Sequence, residues 1–378
     1  MENINNTQII NSGICDSVVK QVSGGMISII IPIYNGVKYI DNIFNNFKDF
    51  LQNAENSLIF IDDGSKDDSY HYLTEKSSCY KNIQVLHKEN GGIASARNAG
   101  LELADSKYIA FMDQDDDIDV DLLLRNLKLL DSNDADFLIA DHCIVKNQIE
   151  KRCGNIYGKA VIDGDDLKRV AADFMTTHCA PCDEVLAKHN VKFISPTIWN
   201  CIYNLDFLIR NRISFFRFVD FEDDFIFMVQ CLSAAEKIVT SDDGFYKWHI
   251  ISISESHTPK YIQNFYKKRS TLNTWLYDKA VGLNIDNTKL KQFKNFLYTS
   301  TLRGGYTIVC SIKNKKNFFG KRSELKQIAI KPDKGVKVDF TRTNTAWSLR
   351  EKIAVNLIRC HFYGCAILMD KFYKILKR

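Results

Sequence analysis

No run of about 18 apolar residues occurs in this 378-residue chain, which excludes a transmembrane helix of ordinary length. The start, "MENINNTQIINSG", is polar and lacks the basic-then-apolar order of a secretory signal. A large charge excess is also missing. Lys and Arg number 50 against 46 Asp and Glu, a net charge of +4, so nothing marks the chain as a nucleic-acid binder. The phosphate-binding pattern G-x-x-x-x-G-K-[ST] is absent, and no G-x-G-x-x-G follows the first apolar run, which removes the usual nucleotide triphosphate and dinucleotide loops. The eleven cysteines are odd in number and scattered, with Cys179-Ala-Pro-Cys182 the nearest to a cluster. They read as reduced thiols of a cytosolic protein rather than a disulfide scaffold or zinc site. Prolines number five, beside many Asn, Lys and Ile, a bias of genome composition more than of function.

What is present is soluble globular composition, 45% apolar and 25% charged, at a length that suits one large or two ordinary domains. Residues 1–25 read as a loose leader. Order is expected from "MISIIIPIYN", whose β-branched run 27–31 suits a buried parallel strand. "VKYIDNIFNNFKDFL" then places apolar residues at helical intervals. Strands are expected at "SLIFID", "NIQVLH", "YIAFM" and "ADFLIA", with helices between them. That alternation predicts an α/β fold with a mostly parallel central sheet and helices on both faces. Asp62, Asp63, Asp113 and Asp115 fall at the carboxyl ends of strands, where open α/β sheets take ligands.

From Cys143 to about Lys260 the rhythm changes. "IDGDDLKRVAADF" reads as a capped helix, "ISPTIWNCIYNLDFLIRN" as a strand or turn continuing helically, "FEDDFIFMVQCLSAA" as a helix and "KIVTSDDGFYKWH" as a hairpin. This part is expected to complete the first domain, giving a domain over 26–260 with halves 26–142 and 143–260. Residues 261–378 read as a mainly helical extension. In it the basic segment "KNKKNFFGKRSELKQ" serves as a linker before a basic, amphipathic tail.

Four constellations carry possible chemistry. "YIAFMDQDDDID" crowds four acidic residues into positions 113–117. Like charges at a strand end suit a site that receives a cation. Asp113 and Asp115, two apart in extended geometry, point the same way, while a helix start accounts for Asp117 and Asp119. "IFIDDGS" has a carboxylate before Gly-Ser that can meet a base or ribose, or can equally be an Asp-Gly turn. "KENGGIASARNAG" pairs glycines with Arg97, which can reach a phosphate or an acidic loop. "FEDDF" precedes an apolar helix. One of its carboxylates can deprotonate a hydroxyl while another orients it, or the three can simply complement the helix dipole.

In this order the four elements resemble an inverting family 2 glycosyltransferase of the GT-A fold, of the kind that builds bacterial capsular polysaccharide and lipooligosaccharide. The matching positions are Pro32-Ile-Tyr34-Asn35, Asp62 to Asp67, Asn90-Gly91-Gly92 with Ala96-Arg97-Asn98, Asp113 to Asp116, and Glu222-Asp223, spanning 27 to about 225 with weaker similarity through Ser254. The resemblance implies that Pro32, Tyr34 and Asn35 flank the donor nucleotide and that Asp63 lies near its base. Arg97 and Asp113 complete the donor side, and Asp115 binds Mn²⁺ or Mg²⁺. Asp223 is then the catalytic base and Glu222 an orienting group. Trp248-His249 and Ser252 stand where relatives carry groups near the diphosphate, with Trp248 on the acceptor side and His249 a metal or phosphate ligand. Cys201, where many relatives carry Lys, receives no role.

The function so implied is metal-dependent transfer, with inversion, of a hexose or N-acetylhexosamine from a UDP-sugar to a hydroxyl of a glycan acceptor, lipid-linked, in cell-surface glycan synthesis. The rival enzyme, a nucleotidyltransferase, needs a glycine-rich basic loop that "PIYNGVKY" does not supply. The rival from another class is a noncatalytic scaffold of a membrane-associated glycan assembly complex. Aromatic Tyr203, Phe218, Phe221, Tyr246 and Trp248 suit sugar stacking or core packing. The tail, with apolar Ile353 to Ile375 among Lys and Arg, suits a cytoplasmic chain resting on the inner membrane face or a helix packed on its own domain.

Overall fold

The computed structural model describes residues 25–152, 158–177, 180–181, 184–216, 222–250, 261–283, 285–311, 313–330, 335–338 and 348–376. The leader through 24, Cys179, Cys182, Phe218, Phe221, Ser252, Ser254, Lys377 and Arg378 lie outside them. The described residues divide into two compact units. The first holds the chain through 171 with 180–216 and 222–250; the second holds 172–177 and the described residues from 261 onward.

In the first unit the β-branched run forms strand β1 (Ile27–Ile33), buried along its whole length. Helix α1 (Val37–Asn46) is shorter than its periodicity predicts, and a separate single 3₁₀ turn occupies Phe50–Gln52. Then follow β2 (Asn56–Asp62), α2 (Ser69–Ser77), β3 (Ile83–His87), α3 (Ile93–Leu103) and β4 (Tyr108–Phe111). β3, β2, β1 and β4 lie side by side and all parallel, so the ends of β1, β2 and β4 open on one edge. Ile27, Ile29, Ile31 and Ile33 share a core with Ile40, Ile43, Phe44 and Phe47 on one face. On the other face α3 comes so close that a Cβ at Gly100 would meet Ile30 Cγ2 at 2.3 Å. Alternation along β1 thus feeds two layers, as a sheet buried on both faces requires.

Beyond β4 the sheet becomes mixed. A two-residue strand β5 (Asp117–Ile118) lies inside the acidic run, followed by α4 (Val120–Asn133), β6 (Phe137–Lys146), β7 (Ile149–Arg152), β8 (Ala160–Asp163) and α5 (Gly164–Thr177). Short β9 (Ala180–Pro181) and β10 (Phe193–Ile194), with α6 (Glu184–Lys188) between them, form a separate ladder. β11 (Cys201–Asn204) inserts antiparallel between β4 and β6 before α7 (Leu205–Arg210) and α8 (Asp223–Ala234). The full path is β3-β2-β1-β4-β11-β6-β12-β5.

The expected hairpin at "KIVTSDDGFYKWH" is instead one strand, β12 (Lys237–His249), parallel to β6. Its register slips between Ser241, opposite Ala140, and Tyr246, opposite His142, so five steps on β12 answer to two on β6. Asp-Asp-Gly carries turn chemistry, and the fold spends it on this bulge. Asp243 N–H donates to Ser241 Oγ, and Asn126 Nδ2 donates to the Asp243 carbonyl at 2.7 Å.

The second unit is helical: α9 (Phe265–Gly282), α10 (Asn287–Val309), α11 (Phe318–Ile328), α12 (Leu349–Arg359) and α13 (Tyr363–Leu376). The segment read as a linker is largely α11, whose Leu325 and Ile328 share a core with Leu302, Tyr306, Val355, Ile358 and Ile367. Its basic residues take the outer face. The tail breaks at Cys360–Phe362, where His361 takes φ 67, rather than at Gly364, which lies inside α13. No helix among the described residues is long and apolar enough to cross a membrane.

Candidate functional site

Three loops meet at the ends of β1, β2 and β4. Tyr34 N–H donates to Gln114 Oε1 at 2.9 Å, and Gln114 Nε2 returns a bond to the Tyr34 carbonyl at 3.2 Å. Asn35, at φ 48, donates its N–H to Ser65 Oγ and accepts from Lys66 N–H through Oδ1. The "PIYN" loop is thereby tied to both the "DQD" and "DGS" loops. Pro32 is buried within β1, while Tyr34 stays 40% exposed at the rim.

The Asp62-Asp63 pair is buried. Asp62 Oδ2 takes His87 Nδ1 at 2.6 Å. Asp63 Oδ1 accepts from Lys88 Nζ at 2.6 Å and Gly91 N–H at 2.9 Å, and its Oδ2 accepts from Gly92 N–H at 2.7 Å. Gly92 sits at φ 83, a conformation side-chain-bearing residues rarely adopt, and opens α3. Asp63 is therefore the anchor of the "NGG" loop, and both its oxygens are engaged by this chain.

That loop launches α3 so that Arg97 faces inward, 4% exposed. One guanidinium nitrogen reaches Asp113 Oδ1 at 2.9 Å, the other Asp224 Oδ1 at 2.8 Å, and the Phe215 ring lies 5.3 Å from the guanidinium carbon. Burial works against the Arg97 charge. Asp224 and Asp113 outweigh it and hold the guanidinium above its ordinary value. Burial likewise raises the Asp224 carboxyl, which Arg97 partly offsets. Asp223, beside Asp224, is the first residue of α8, behind Glu222 at φ 60.

The acidic run is divided among different tasks. Asp113 N–H donates to the Tyr246 hydroxyl at 3.1 Å, and that hydroxyl donates to Asp116 Oδ2 at 2.7 Å. Asp116 Oδ1 accepts from His249 N–H at 2.7 Å. Burial, with Asp113 next, pushes the Asp116 carboxyl up to about 8. His249 Nε2 meets Asp117 Oδ2 at 2.8 Å, and Asn42 Nδ2 donates to Asp117 Oδ1. Asp119 caps α4 through the Leu122 N–H, as a helix start predicts, but Asp117 belongs to β5. Asp115 is raised first by burial and then by Asp113. Removing charge from this corner is favourable, and a cation does that as well as a proton.

Arg97, Asp113, Asp115, Tyr34, Asn35 and the start of α8 thus share one strand-end region of the first unit, and Trp248 and His249 end β12 beside it. Trp248 is half-buried, its ring 6.4 Å from that of Trp199. Sequence reasoning missed Asp224 as the partner of Arg97 and Tyr246 as a hydroxyl node. Tyr203 and Tyr246 are fully buried rather than available for sugar stacking. Tyr203 donates to the Ile198 carbonyl, and Tyr246 stacks on Trp199 at 4.5 Å. Among the described residues no three His, Cys, Asp or Glu side chains gather as a metal cage.

Residues 28–156 match the family described as Glycosyl transferase family 2. The uncharacterized glycosyltransferase EpsJ of Bacillus subtilis strain 168 is 25% identical over 222 residues, 58% of this chain and 60% of EpsJ. The minor teichoic acid biosynthesis protein GgaA of the same strain is 43% identical over 98 residues, 24% of this chain and 22% of GgaA. The chain therefore spans less than two thirds of either relative. Among solved structures, S. aureus TarS 1-349 in complex with UDP-GlcNAc superposes with a TM-score of 0.60 at 18% identity, covering 92% of this chain and 91% of that one. This is a likeness of fold, a central sheet flanked by helices with a helical C-terminal region.

Proposed function

Residues 28–156 are a family 2 glycosyltransferase domain, and from that premise we propose that the chain transfers a hexose or N-acetylhexosamine from a UDP-sugar to a glycan hydroxyl, with inversion. The observation that carries this reading is the Arg97 fork, which fixes the donor-side Asp113 and the α8 carboxylate Asp224 in one bonded array. TarS, whose fold this chain shares, was solved with UDP-GlcNAc, and GgaA is named for minor teichoic acid biosynthesis. Both favour a nucleotide-sugar donor and a cell-surface polymer as product.

In the proposed reaction Tyr34 and Asn35 border the nucleotide, and Asp63 keeps the Gly91-Gly92 loop in shape beneath it. Asp115 is the residue to hold a divalent ion, with Asp113 beside it. The raised Asp115 carboxyl fits such an ion, to which a donor diphosphate would add further oxygens. When bound, Mn²⁺ or Mg²⁺ neutralises charge on the departing diphosphate. Asp223 accepts the proton of the acceptor hydroxyl, whose oxygen forms the new bond to the anomeric carbon. The bond to the diphosphate breaks on the opposite face, and its electron pair leaves with UDP. Glu222 and Trp248 orient the acceptor, and His249 steadies the acidic loop through Asp117 and Asp116.

The test is UDP release by the purified full chain from a panel of UDP-hexoses and UDP-N-acetylhexosamines, with Mn²⁺ or with chelator. Metal-dependent release from at least one donor is expected; none from any donor overturns the reading. The acceptor is proposed to be lipid-linked. Phe372, Ile375 and Leu376, each 65% exposed or more, are the groups to meet an anionic membrane surface. Replacing all three by Asp should abolish sedimentation with anionic liposomes, and unchanged sedimentation rejects the contact.

A further inference from the structure

One hydroxyl closes the acidic turn that follows β4. Residues 113–116 form that turn, with Asp116 N–H donating to the Asp113 carbonyl at 3.1 Å. The Tyr246 hydroxyl grips it at its first and last residues, accepting from Asp113 N–H at 3.1 Å and donating to Asp116 Oδ2 at 2.7 Å. Its single proton goes to the carboxylate, because the amide brings a proton of its own. The other Asp116 oxygen takes His249 N–H at 2.7 Å, from the same strand. Gln114 is held separately by Tyr34. Asp115 is the fourth member, between two gripped neighbours, and is the carboxylate assigned to the ion.

Several features of the fold place this hydroxyl. Tyr246 is fully buried, and its ring stacks on Trp199 at 4.5 Å. The bulge in β12 brings Tyr246 opposite His142; an unbroken register from Ser241 and Ala140 would put Asp243 there. Within the bulge Gly244 passes so close to β6 that a Cβ would meet the Asp141 carbonyl carbon at 2.9 Å. The same part of β12 holds the far end of the acidic run. Tyr246 pairs with Ile118 on β5, and Asp119 N–H donates to the Phe245 carbonyl at 2.7 Å. Carboxylates crowded at 113 and 115–117 repel one another, and a loop left to that repulsion spreads. A metal site binds best when hydrogen bonds behind the ligands fix them before the ion arrives.

We propose that Tyr246 is the positioning residue of the cation site. Its hydroxyl, bonded to the Asp113 amide and the Asp116 carboxylate, keeps the 113–116 turn in the shape that lets Asp115 take a divalent ion. The proposal rests on the reading of Asp115 as the metal residue and adds the group that sets its geometry from a strand 130 positions away.

The experiment is calorimetric titration of the full chain with Mn²⁺ in the presence of excess UDP. Tyr246→Phe removes one oxygen and keeps the ring. It should weaken Mn²⁺ binding about tenfold, the lower end of what losing a partner behind a metal ligand costs. The Mn²⁺ concentration for half-maximal UDP release should rise by the same factor, while the rate at saturating Mn²⁺ stays within threefold of the parent. Asp116→Asn, the other end of the staple, should weaken Mn²⁺ binding likewise, and it carries the test if circular dichroism finds Tyr246→Phe unfolded. The control is Tyr203→Phe, an equally buried tyrosine whose hydroxyl bonds the Ile198 carbonyl instead. It should lower the urea midpoint and leave Mn²⁺ affinity within twofold of the parent. Mn²⁺ affinity within twofold of the parent in either Tyr246→Phe or Asp116→Asn overturns the proposal, and so does equal weakening in Tyr203→Phe. Binding by the parent and Tyr246→Phe alike sinks this proposal alone; no Mn²⁺ binding by the parent sinks the metal reading of Asp115 and the proposal together.

Discussion

Arg97 and Asp224 stand 127 positions apart in the chain and 2.8 Å apart in the fold. The same guanidinium holds Asp113 at 2.9 Å, so one buried cation serves two carboxylates. Removing it strands both. Arg97→Ala should lower stability by about 3–5 kcal/mol, the usual cost of breaking a buried pair. Arg97→Lys keeps the charge but loses the fork, so it should fall between. Urea unfolding measures both, and a loss under about 1 kcal/mol for Arg97→Ala would show the bridge to be incidental.

The neighbours Asp223 and Asp224 should separate by phenotype. Asp223→Asn keeps size and removes basicity, so turnover should drop roughly 10²- to 10⁴-fold while calorimetry still finds UDP bound. Asp224→Asn should instead cost stability, because its partner Arg97 is buried. Loss of UDP binding in Asp223→Asn moves that residue out of the base role.

Asp115 carries the metal prediction. In Asp115→Asn, calorimetric binding of Mn²⁺ in the presence of UDP should be lost or weakened at least tenfold, and turnover with it. Because burial and Asp113 raise the Asp115 carboxyl, metal binding should strengthen as pH rises and that proton leaves. Equal Mn²⁺ affinity in the variant removes Asp115 from the metal role.

His142 supplies a pH test away from the strand-end loops. Its ring packs edge-on to Trp199 at 4.9 Å, and burial pushes its value down to about 4. Between about 6.5, the unfolded value, and 4, the unfolded chain binds a proton that the folded chain refuses. Stability should therefore fall with pH through that window. In His142→Phe this part of the decline should vanish, read as the difference in urea midpoint between pH 7 and pH 4.5. An identical decline in the variant rejects the assignment.

Local pattern carried the parallel half of the sheet. β1, β2 and β4 are short β-branched or aromatic runs bounded by turn residues, and the "DGS", "NGG" and "DQD" loops were readable because each directly follows a strand or opens a helix. What depended on distant partners was not readable. Nothing near Asp224 announces Arg97, and nothing near Tyr246 announces that its hydroxyl will hold Asp116 and the Asp113 amide. The bulge in β12 misled for the same reason: Asp-Asp-Gly states a turn, and only the parallel neighbour β6 keeps the strand continuous. In α11 the density of Lys and Arg hid two buried positions, Leu325 and Ile328, that dock the helix.

The stereochemistry of transfer tests the central claim most directly. Proton NMR should follow the full chain with an α-linked UDP-sugar and Mn²⁺, reading the anomeric signal of the first sugar product, whether glycoside or free sugar. A single displacement driven by Asp223 predicts a β-configured product, formed before mutarotation and absent with Asp223→Asn. A product that first appears in the α configuration contradicts the account.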